Sequence, residues 1–476
     1  MTVRAPPFVE RSAGRSAERV APWSWILLVP VISCAEERTV IHPPFRVEDW
    51  IPRDAVVSED APVAASSESE ILPIDLATAL QLADAHSIEV LLAREKVTES
   101  KADEGLTRSQ YLPVLAPRFG FFRHEGETQS TEGDFLDVDK QNAFAGAGIE
   151  ISANPAEAMF SSLAARRRTG SREFLLESVQ RDMALRAATY YYDLVQAAGL
   201  SRLAEDAIAH AREVVSVQES LERQGRGLPV DVMRARAELA KAEGSLFQAS
   251  EAARVASASL VEVLRLDPTI VLVPAEDELK ILQFLSTEIP LPELIARARQ
   301  GRPELHAAEE EIRALEEDER SARYSWAIPR VRLGTTLGGF GETFGSLDDQ
   351  ETYSAALQWG FTFGLSHALD RAESEKRRAE LLCMRAQDRV AAEVVRAWER
   401  VKAAPQRIAA ANRETEAAQA TRDLADARHE AGAALMVETL DAEASLTRAR
   451  TSLLFAIADH NRAQYELLHA VGGMVE

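Results

Sequence analysis

An internal duplication limits the fold of this chain more than any other feature of its sequence. The segment GLPVDVMRARAEL (227–239) matches ALMVETLDAEASL (434–446) at a constant offset, with apolar, acidic and alanine positions preserved. A second pair of segments, 87–113 and 303–329, matches at an offset longer by nine residues. An insertion or deletion therefore lies between the two anchors, and the chain is expected to consist of two halves of the same design.

Each half is predicted to run helix, strand, loop, strand, long helix, turn and helix. The halves cover 71–280 and 285–473, and the acidic segments 126–141 and 341–352 read as exposed loops. The first half is assigned a helix over 75–111, strands over 114–123 and 142–152, a helix over 156–222, a turn at Gly225–Pro229 and a helix to about 266. The second half is assigned helices over 291–327, 366–430 and 436–471 and strands over 330–340 and 352–364. The predicted fold class is therefore mainly α, with four β-strands per chain.

The stretch YSAALQWGFTF (353–363) alternates between apolar residues and small or polar ones, which predicts a strand with one apolar face. Nothing in the acidic loops would cover that face, whereas the other face suits water. Lipid on one side and water on the other is typical of an outer-membrane barrel. The alternative is a small sheet packed on helices in a soluble protein. The residues predicted to face lipid are Tyr353, Leu357, Trp359, Phe361 and Phe363.

Four strands cannot close a barrel, and an open strand edge in hydrocarbon leaves backbone groups without partners. The smallest outer-membrane barrels close with about eight strands. Two chains would supply eight strands around a lumen filled by side chains, and three would supply twelve with space for a channel. The chain is therefore expected to oligomerise.

The N-terminus has the layout of an export signal over residues 1–33, with four arginines followed by the apolar stretch Trp23 to Ile32. The residues Val31-Ile32-Ser33-Cys34 resemble a bacterial lipobox, so Cys34 is predicted to carry lipid, including palmitate, ahead of an extended linker over 34–70. The alternative is an ordinary signal with an incidental cysteine. The sequence has no apolar run long enough for a membrane-spanning helix.

Composition and motifs argue against several classes of function. The formal net charge of −22 disfavours binding to nucleic acid, because phosphates need a basic surface. The nine histidines are scattered, and neither an HExxH motif nor a P-loop is present. The prediction is a protein that is not an enzyme and has no cofactor and no metal site.

Residues 71 to about 473 resemble the TolC-like outer-membrane efflux proteins. The resemblance rests on the duplication, on Pro113 and Pro329 before the first strand of each half, and on the helical turns. The family's turn has glycine, an acid six residues later, and then Val-Leu-x-Ala. The matching residues are Gly225, Asp231 and VMRA (232–235), and Gly432, Glu438 and TLDA (439–442).

The resemblance implies a homotrimer with a 12-stranded β-barrel and a long α-helical coiled-coil barrel that crosses the periplasm. It implies an outer-membrane exit duct for tripartite efflux or secretion systems, in which an inner-membrane transporter supplies the energy. A periplasmic adaptor would dock at the turns, through Gly225, Leu228, Gly432 and Leu435. The leucines depart from the family, which often has serine or threonine three residues after the glycine. Drug, metal and protein export share this architecture, so cargo selection is assigned mainly to the partner pump.

A periplasmic gate is the remaining prediction. Glu438 and Asp441 lie three residues apart on one helix face, so a threefold axis would bring six carboxylates together. Asp231 occupies the equivalent turn of the first half. The alternative for these residues is a solvated helix start, where the helix dipole favours acids. The alternative for the whole chain is a lipid-anchored periplasmic coiled-coil scaffold without a pore.

Overall fold

The computed structural model describes residues 70–276, 279–286, 288–361, 363–431, 433 and 435–473. The predicted signal peptide, Cys34, the linker up to residue 69, and Gly432 lie outside these residues. The first half contains β1 (Ile71–Ile74), α1 (Leu76–His86), α2 (Ile88–Ser109), β2 (Val114–Gln129), β3 (Phe135–Ala153), α3 (Pro155–Arg223), α4 (Pro229–Leu264) and β4 (Val271–Pro274). The second contains α5 (Leu291–Gly301), α6 (Pro303–Tyr324), β5 (Arg330–Gly341), β6 (Leu347–Gln358), α7 (Leu365–Glu430) and α8 (Met436–Ala470).

Two very long helices dominate the fold, as the sequence predicted. Helix α3 has 69 residues and α7 has 66, so each is about 100 Å long at 1.5 Å per residue. Asn154 caps α3 by accepting hydrogen bonds from the backbone N–H groups of Ala156 and Glu157. Its amide also donates to the carbonyl oxygens of Ser325 and Ile328, which fixes the start of α3 against the end of α6.

The first helix of each half is broken, and the predictions of single helices over 75–111 and 291–327 were wrong on this point. Ser87 separates α1 from α2, and Arg302 separates α5 from α6, and neither residue has helical backbone. Arg302 precedes Pro303, whose ring disfavours helical backbone at the residue before it. Ser87 donates its hydroxyl to Glu89, and such side-chain bonding competes with a continuous helix. The breaks occupy equivalent places in the two halves.

The main sheet is antiparallel, with strand order β2-β3-β5-β6. Its strands lie where the sequence predicted strands, but β2 and β3 reach into segment 126–141, which was wrongly assigned to a loop. Only Ser130–Asp134 form the turn, where Gly133 has a φ of 96°. The second predicted loop, 341–352, was likewise too long, because β6 already begins at Leu347.

A second, two-stranded sheet joins β1 and β4 in parallel, and the sequence analysis missed it. Its residues Ile74 and Leu272 belong to a core in which Tyr191, Leu260 and Tyr465 are also buried. Another core lies around Leu294, Leu305, Val390, Val394 and Leu467. No helix in the described ranges combines the length and apolarity that crossing a membrane requires.

The strap, residues 279–286, connects the two halves and is held by polar side chains of α8. Asn461 accepts a hydrogen bond from the Leu282 backbone and donates to the carbonyl oxygen of Lys280. Gln464 accepts from the backbone N–H groups of Phe284 and Leu285. Both α8 side chains are buried, so they give the strap's backbone the partners that irregular chain otherwise lacks.

Candidate functional site

The main sheet has one mainly apolar face. Its other face is mostly small or polar but also carries Val114, Phe122, Phe144 and Phe340. Residues paired across antiparallel strands point to the same face, so the register assigns the side chains. The apolar face carries Leu115, Phe119, Phe121, Ile149, Leu333, Leu337, Tyr353 and Leu357, all between 47% and 77% exposed. The opposite face includes Gly148, Thr336 and Ser354, together with Arg118 and Glu150, which form an ion pair at 3.4 Å. The described helices therefore leave the apolar face uncovered.

The residues predicted to face lipid fall into two groups. Tyr353 and Leu357 lie on the apolar face of β6, but the strand ends at Gln358, six residues before its predicted end. Trp359, Phe361 and Phe363 follow the strand and are exposed. Strand pairing stops here because Gln358 pairs with Arg330, the first residue of β5, and Pro329 before it has no N–H to donate.

The turn between α3 and α4 exposes an apolar tip. Gly225 has a φ of 73°, a left-handed conformation that favours glycine at the end of a helix. The N–H groups of Arg226 and Gly227 both donate to the Leu221 carbonyl, at 2.9 and 3.0 Å. Leu228 then begins the next helix with its side chain 62% exposed.

The turn between α7 and α8 has the same character. Leu435 is 73% exposed and stands directly before α8, as Leu228 does before α4. Arg428, at the end of α7, contacts both sides of this turn. It donates to the Ala433 carbonyl at 3.2 Å and forms an ion pair with Glu438 at 3.1 Å. The predicted docking residues Gly225, Leu228 and Leu435 thus all lie at helical turns.

The three predicted gate carboxylates have different surroundings. Glu438 is exposed and paired with Arg428, while Asp231 lies 3.6 Å from Arg234 on the next turn of its own helix. Asp441 is exposed and forms no ion pair with the part of the chain that the structure describes. Within one chain, therefore, Asp441 is the carboxylate that is free to respond to a neighbouring subunit or to a cation.

A charged layer joins the two long hairpins, and sequence reasoning missed it. Arg422 of α7 contacts Glu443 and Asp426 at 3.3 and 2.9 Å. Its guanidinium also donates to Nδ1 of His210 on α3 at 3.3 Å, so that nitrogen is the acceptor and Nε2 carries the proton. Each of these residues alone resembles a surface charge of a helix, so only the packing of α3 against α8 reveals the cluster.

A second network holds the α5–α6 break against the end of α8. The Arg302 side chain is only 7% exposed and pairs with Glu304 and with Glu393 at 2.9 Å. It also donates to Nδ1 and to the carbonyl oxygen of His469, both at 3.0 Å. Proline after Arg302 signals the break in the sequence, but nothing signals the partners, which come from α6, α7 and α8.

Cys383 is buried, and burial is the main cause that raises the pKa of its thiol, so it packs as a neutral side chain. Across the ranges that the structure describes, no three histidine, cysteine or acidic side chains are placed to share a metal ion.

The fold and these surfaces define a class of protein: a duplicated pair of long helical hairpins that carries an open, two-faced antiparallel sheet. Residues 294–473 match the family model described as outer membrane efflux protein. The chain is similar to the outer-membrane channel OprN, at 19% identity over 84% of this chain and 90% of that one, with a TM-score of 0.73. It is similar to the CmeC outer membrane channel of Campylobacter jejuni, at 15% identity over 84% and 85%, with a TM-score of 0.75.

The outer membrane protein VceC of Vibrio cholerae also matches, at 17% identity over 84% of this chain and 96% of that one, with a TM-score of 0.71. No curated protein sequence matches the chain. At these identities the solved structures show the fold, and the family model covers the second half. Together they confirm the predicted fold class, and residues 294–473 are similar to the outer membrane efflux protein family, as the resemblance predicted.

Proposed function

We propose that three copies of this chain form an outer-membrane exit duct of an efflux or secretion system. The observation that carries the proposal is the open sheet, whose outer strands β2 and β6 have unpaired edges and whose apolar face is exposed. Such edges need strand partners in hydrocarbon. Three copies supply twelve strands, enough to enclose a water-filled lumen lined by the face that carries Thr336 and Ser354.

Within this proposal the duct conducts passively, and its partners supply energy and selection. The exposed turns around Leu228 and Leu435, with Gly225 and Gly432, form the adaptor-docking surface. An inner-membrane transporter drives export, and the carboxylates Glu438, Asp441 and Asp231 form a gate at the same end. Cys34 anchors the mature N-terminus to lipid of the outer membrane.

The lipid-anchored scaffold is the less favoured function. A soluble sheet would need its apolar face covered, yet Phe119 and Tyr353 are 77% and 73% exposed. Exposed aromatic side chains on this scale are typical of a surface that meets lipid or another chain.

The deciding experiment combines purification with electrical recording. The full-length protein should require detergent, have the mass of a trimer by native mass spectrometry, and form cation-preferring channels in planar bilayers. A monomer that stays dissolved without detergent and forms no channel would refute the duct. The adaptor surface is tested separately with Leu228→Asp and Leu435→Asp. Together they should abolish export in cells while trimer abundance is unchanged.

A further inference from the structure

A cavity of about 460 Å³ lies beside the middle of α3 and is separate from the turns and the sheet. Its walls come from the start of α1, from α3, from the end of α8 and from the strap. The volume is in the range of small-molecule sites. We call it the tyrosine cavity because Tyr191, Tyr192 and Tyr465 all line it.

The three tyrosines and Phe284 form a continuous aromatic wall. Tyr191 and Tyr192 contact edge to face at 5.5 Å between ring centroids, and Tyr465 contacts Phe284 in the same way at 4.8 Å. Tyr191 and Tyr192 are each only 3% exposed. Their hydroxyl groups form no hydrogen bond with any residue that the structure describes. Neither hydroxyl oxygen is fully enclosed by protein, so both open onto the cavity, where water or another occupant can bond to them.

The charged residues that line the cavity are two carboxylates and one lysine, so their net charge is negative. Asp75 and Glu276 lie at its edge, and the exposed Lys280 is the one cation among the described lining residues. Hydrogen bonds from Thr78 lower the pKa of Asp75, so it is ionised at neutral pH. The pKa of Tyr191 is raised to about 12, first by burial and then by the charges of Glu276 and Asp75. The negative charges of Asp75 and Glu276 therefore act on Tyr191 in the aromatic wall.

In the second half of the chain, the aromatic residue at the position equivalent to Tyr191 contacts a lysine of the same helix. Tyr191 corresponds to Trp398 in the duplication. One turn later, Lys402 places its ammonium over the Trp398 ring, 4.4 Å from the centroid. The residue that corresponds to Lys402 is Val195, which lines the tyrosine cavity. The first half thus keeps the aromatic surface, has valine where the second half has that lysine, and has a cavity beside it.

We propose that the tyrosine cavity binds a small organic cation, a primary or secondary ammonium carried on an apolar body. The ammonium would donate hydrogen bonds to the tyrosine oxygens and to Glu276, and the rings would stabilise its charge. The apolar body would pack against Leu76 and Leu282, which complete the cavity wall. This site does not depend on the proposed duct and would exist in any assembly that leaves the cavity open.

The first test compares a charged probe with a neutral one of the same shape. Calorimetric titration of the full-length protein in detergent at neutral pH would use 2-phenylethylammonium and 2-phenylethanol. The ammonium should bind about tenfold more tightly, in line with a partly desolvated cation–π contact. Equal affinity for the two probes, or no binding of the ammonium, would overturn the proposal.

Substitutions then locate the binding. Val195→Lys would supply the internal ammonium that Lys402 supplies in the second half, and it should abolish probe binding, whereas Val195→Met should not. Glu276→Gln should weaken binding about threefold to tenfold, and Glu288→Gln, an exposed change that does not line the cavity, should leave it unchanged. Glu276 is exposed, so its variant decides the question even if Val195→Lys fails to fold. Unchanged affinity in Glu276→Gln would refute the site.

Discussion

At the scale of single residues, two arginines hold helix ends that would otherwise have unpaired carbonyl groups. Arg181 donates to the carbonyl oxygens of Gly301 and Gly472, both at 2.8 Å. Gly301 is the last residue of α5, and Gly472 lies just beyond α8. Arg302 binds the neighbouring carbonyl of His469. The planar guanidinium suits this role because its five donors point in fixed directions.

Removal of Arg302 should therefore be costly. Arg302→Ala leaves Glu304 and Glu393 without their buried partner, and because both carboxylates are partly exposed the expected cost is about 1–3 kcal/mol. Arg236→Ala is the control, because Arg236 pairs with Glu219 at an exposed site, where a pair contributes about 0–1 kcal/mol. Thermal unfolding followed by circular dichroism should show a large drop in midpoint for the first variant only. Equal drops would contradict the assigned role of Arg302.

The proposed gate can also be tested at individual carboxylates. Glu438→Ala combined with Asp441→Ala should raise single-channel conductance in planar bilayers and reduce cation preference, because repulsion and ion pairing within the ring are lost. Glu251→Ala, an exposed change on α4, is the control and should leave both properties unchanged. Conductance and selectivity that match the unsubstituted protein would remove these residues from the gate.

At the scale of elements, glycines have opposite effects at a turn and within a helix. Gly225 ends α3 with a φ of 73°, whereas Gly105 lies inside α2 with open space where a side chain would stand. A side chain at Gly225 is strained by the backbone, while glycine inside a helix costs about 0.5–1 kcal/mol relative to alanine.

The two glycine-to-alanine substitutions should accordingly move stability in opposite directions. Gly225→Ala should lower the free energy of unfolding by about 1 kcal/mol, the usual penalty for left-handed backbone. Gly105→Ala should raise it by a similar amount. Urea denaturation measures both. A Gly225→Ala variant as stable as the parent would show that the turn relaxes into a conformation open to other residues.

At the scale of the whole molecule, the two-faced sheet connects the fold to the proposed membrane role. Neighbouring residues on β6 point to opposite faces, with Tyr353 on the apolar side and Ser354 on the other. Ser354 lies opposite Gly334 and contacts its carbonyl at 3.4 Å. If the apolar face meets lipid, the same substitution at Tyr353 and at Ser354 must have unequal effects on assembly into the membrane.

A pair of lysine substitutions tests this directly. Tyr353→Lys should reduce assembly into the outer membrane, since a lysine on the lipid face costs up to about 2–4 kcal/mol near the bilayer centre. Ser354→Lys should be tolerated and change only conductance. The amount of detergent-extracted trimer is the measurement. Similar yields of both trimers would mean that the apolar face does not meet lipid.

The sequence by itself determined the two halves, the mainly helical fold, the positions of the strands and the helical turns. These features depend on local patterns: a period of two in a strand, a glycine and an acid at a fixed spacing, and a repeat that presents each signal twice. It also placed Leu228, Leu435 and the gate carboxylates at the turns. It misjudged the ends of β2, β3 and β6, because strand length is fixed by the partner strand.

Only the tertiary structure decided the pairing of β1 with β4, the partners of Arg302, the charged layer around Arg422 and the tyrosine cavity. The residues in each of these lie far apart in the chain; Arg302 and His469, for example, are separated by 167 positions. No local pattern encodes such contacts, because a buried arginine and a solvated one have the same letter. Their burial and their partners exist only once the helices of both halves have packed together.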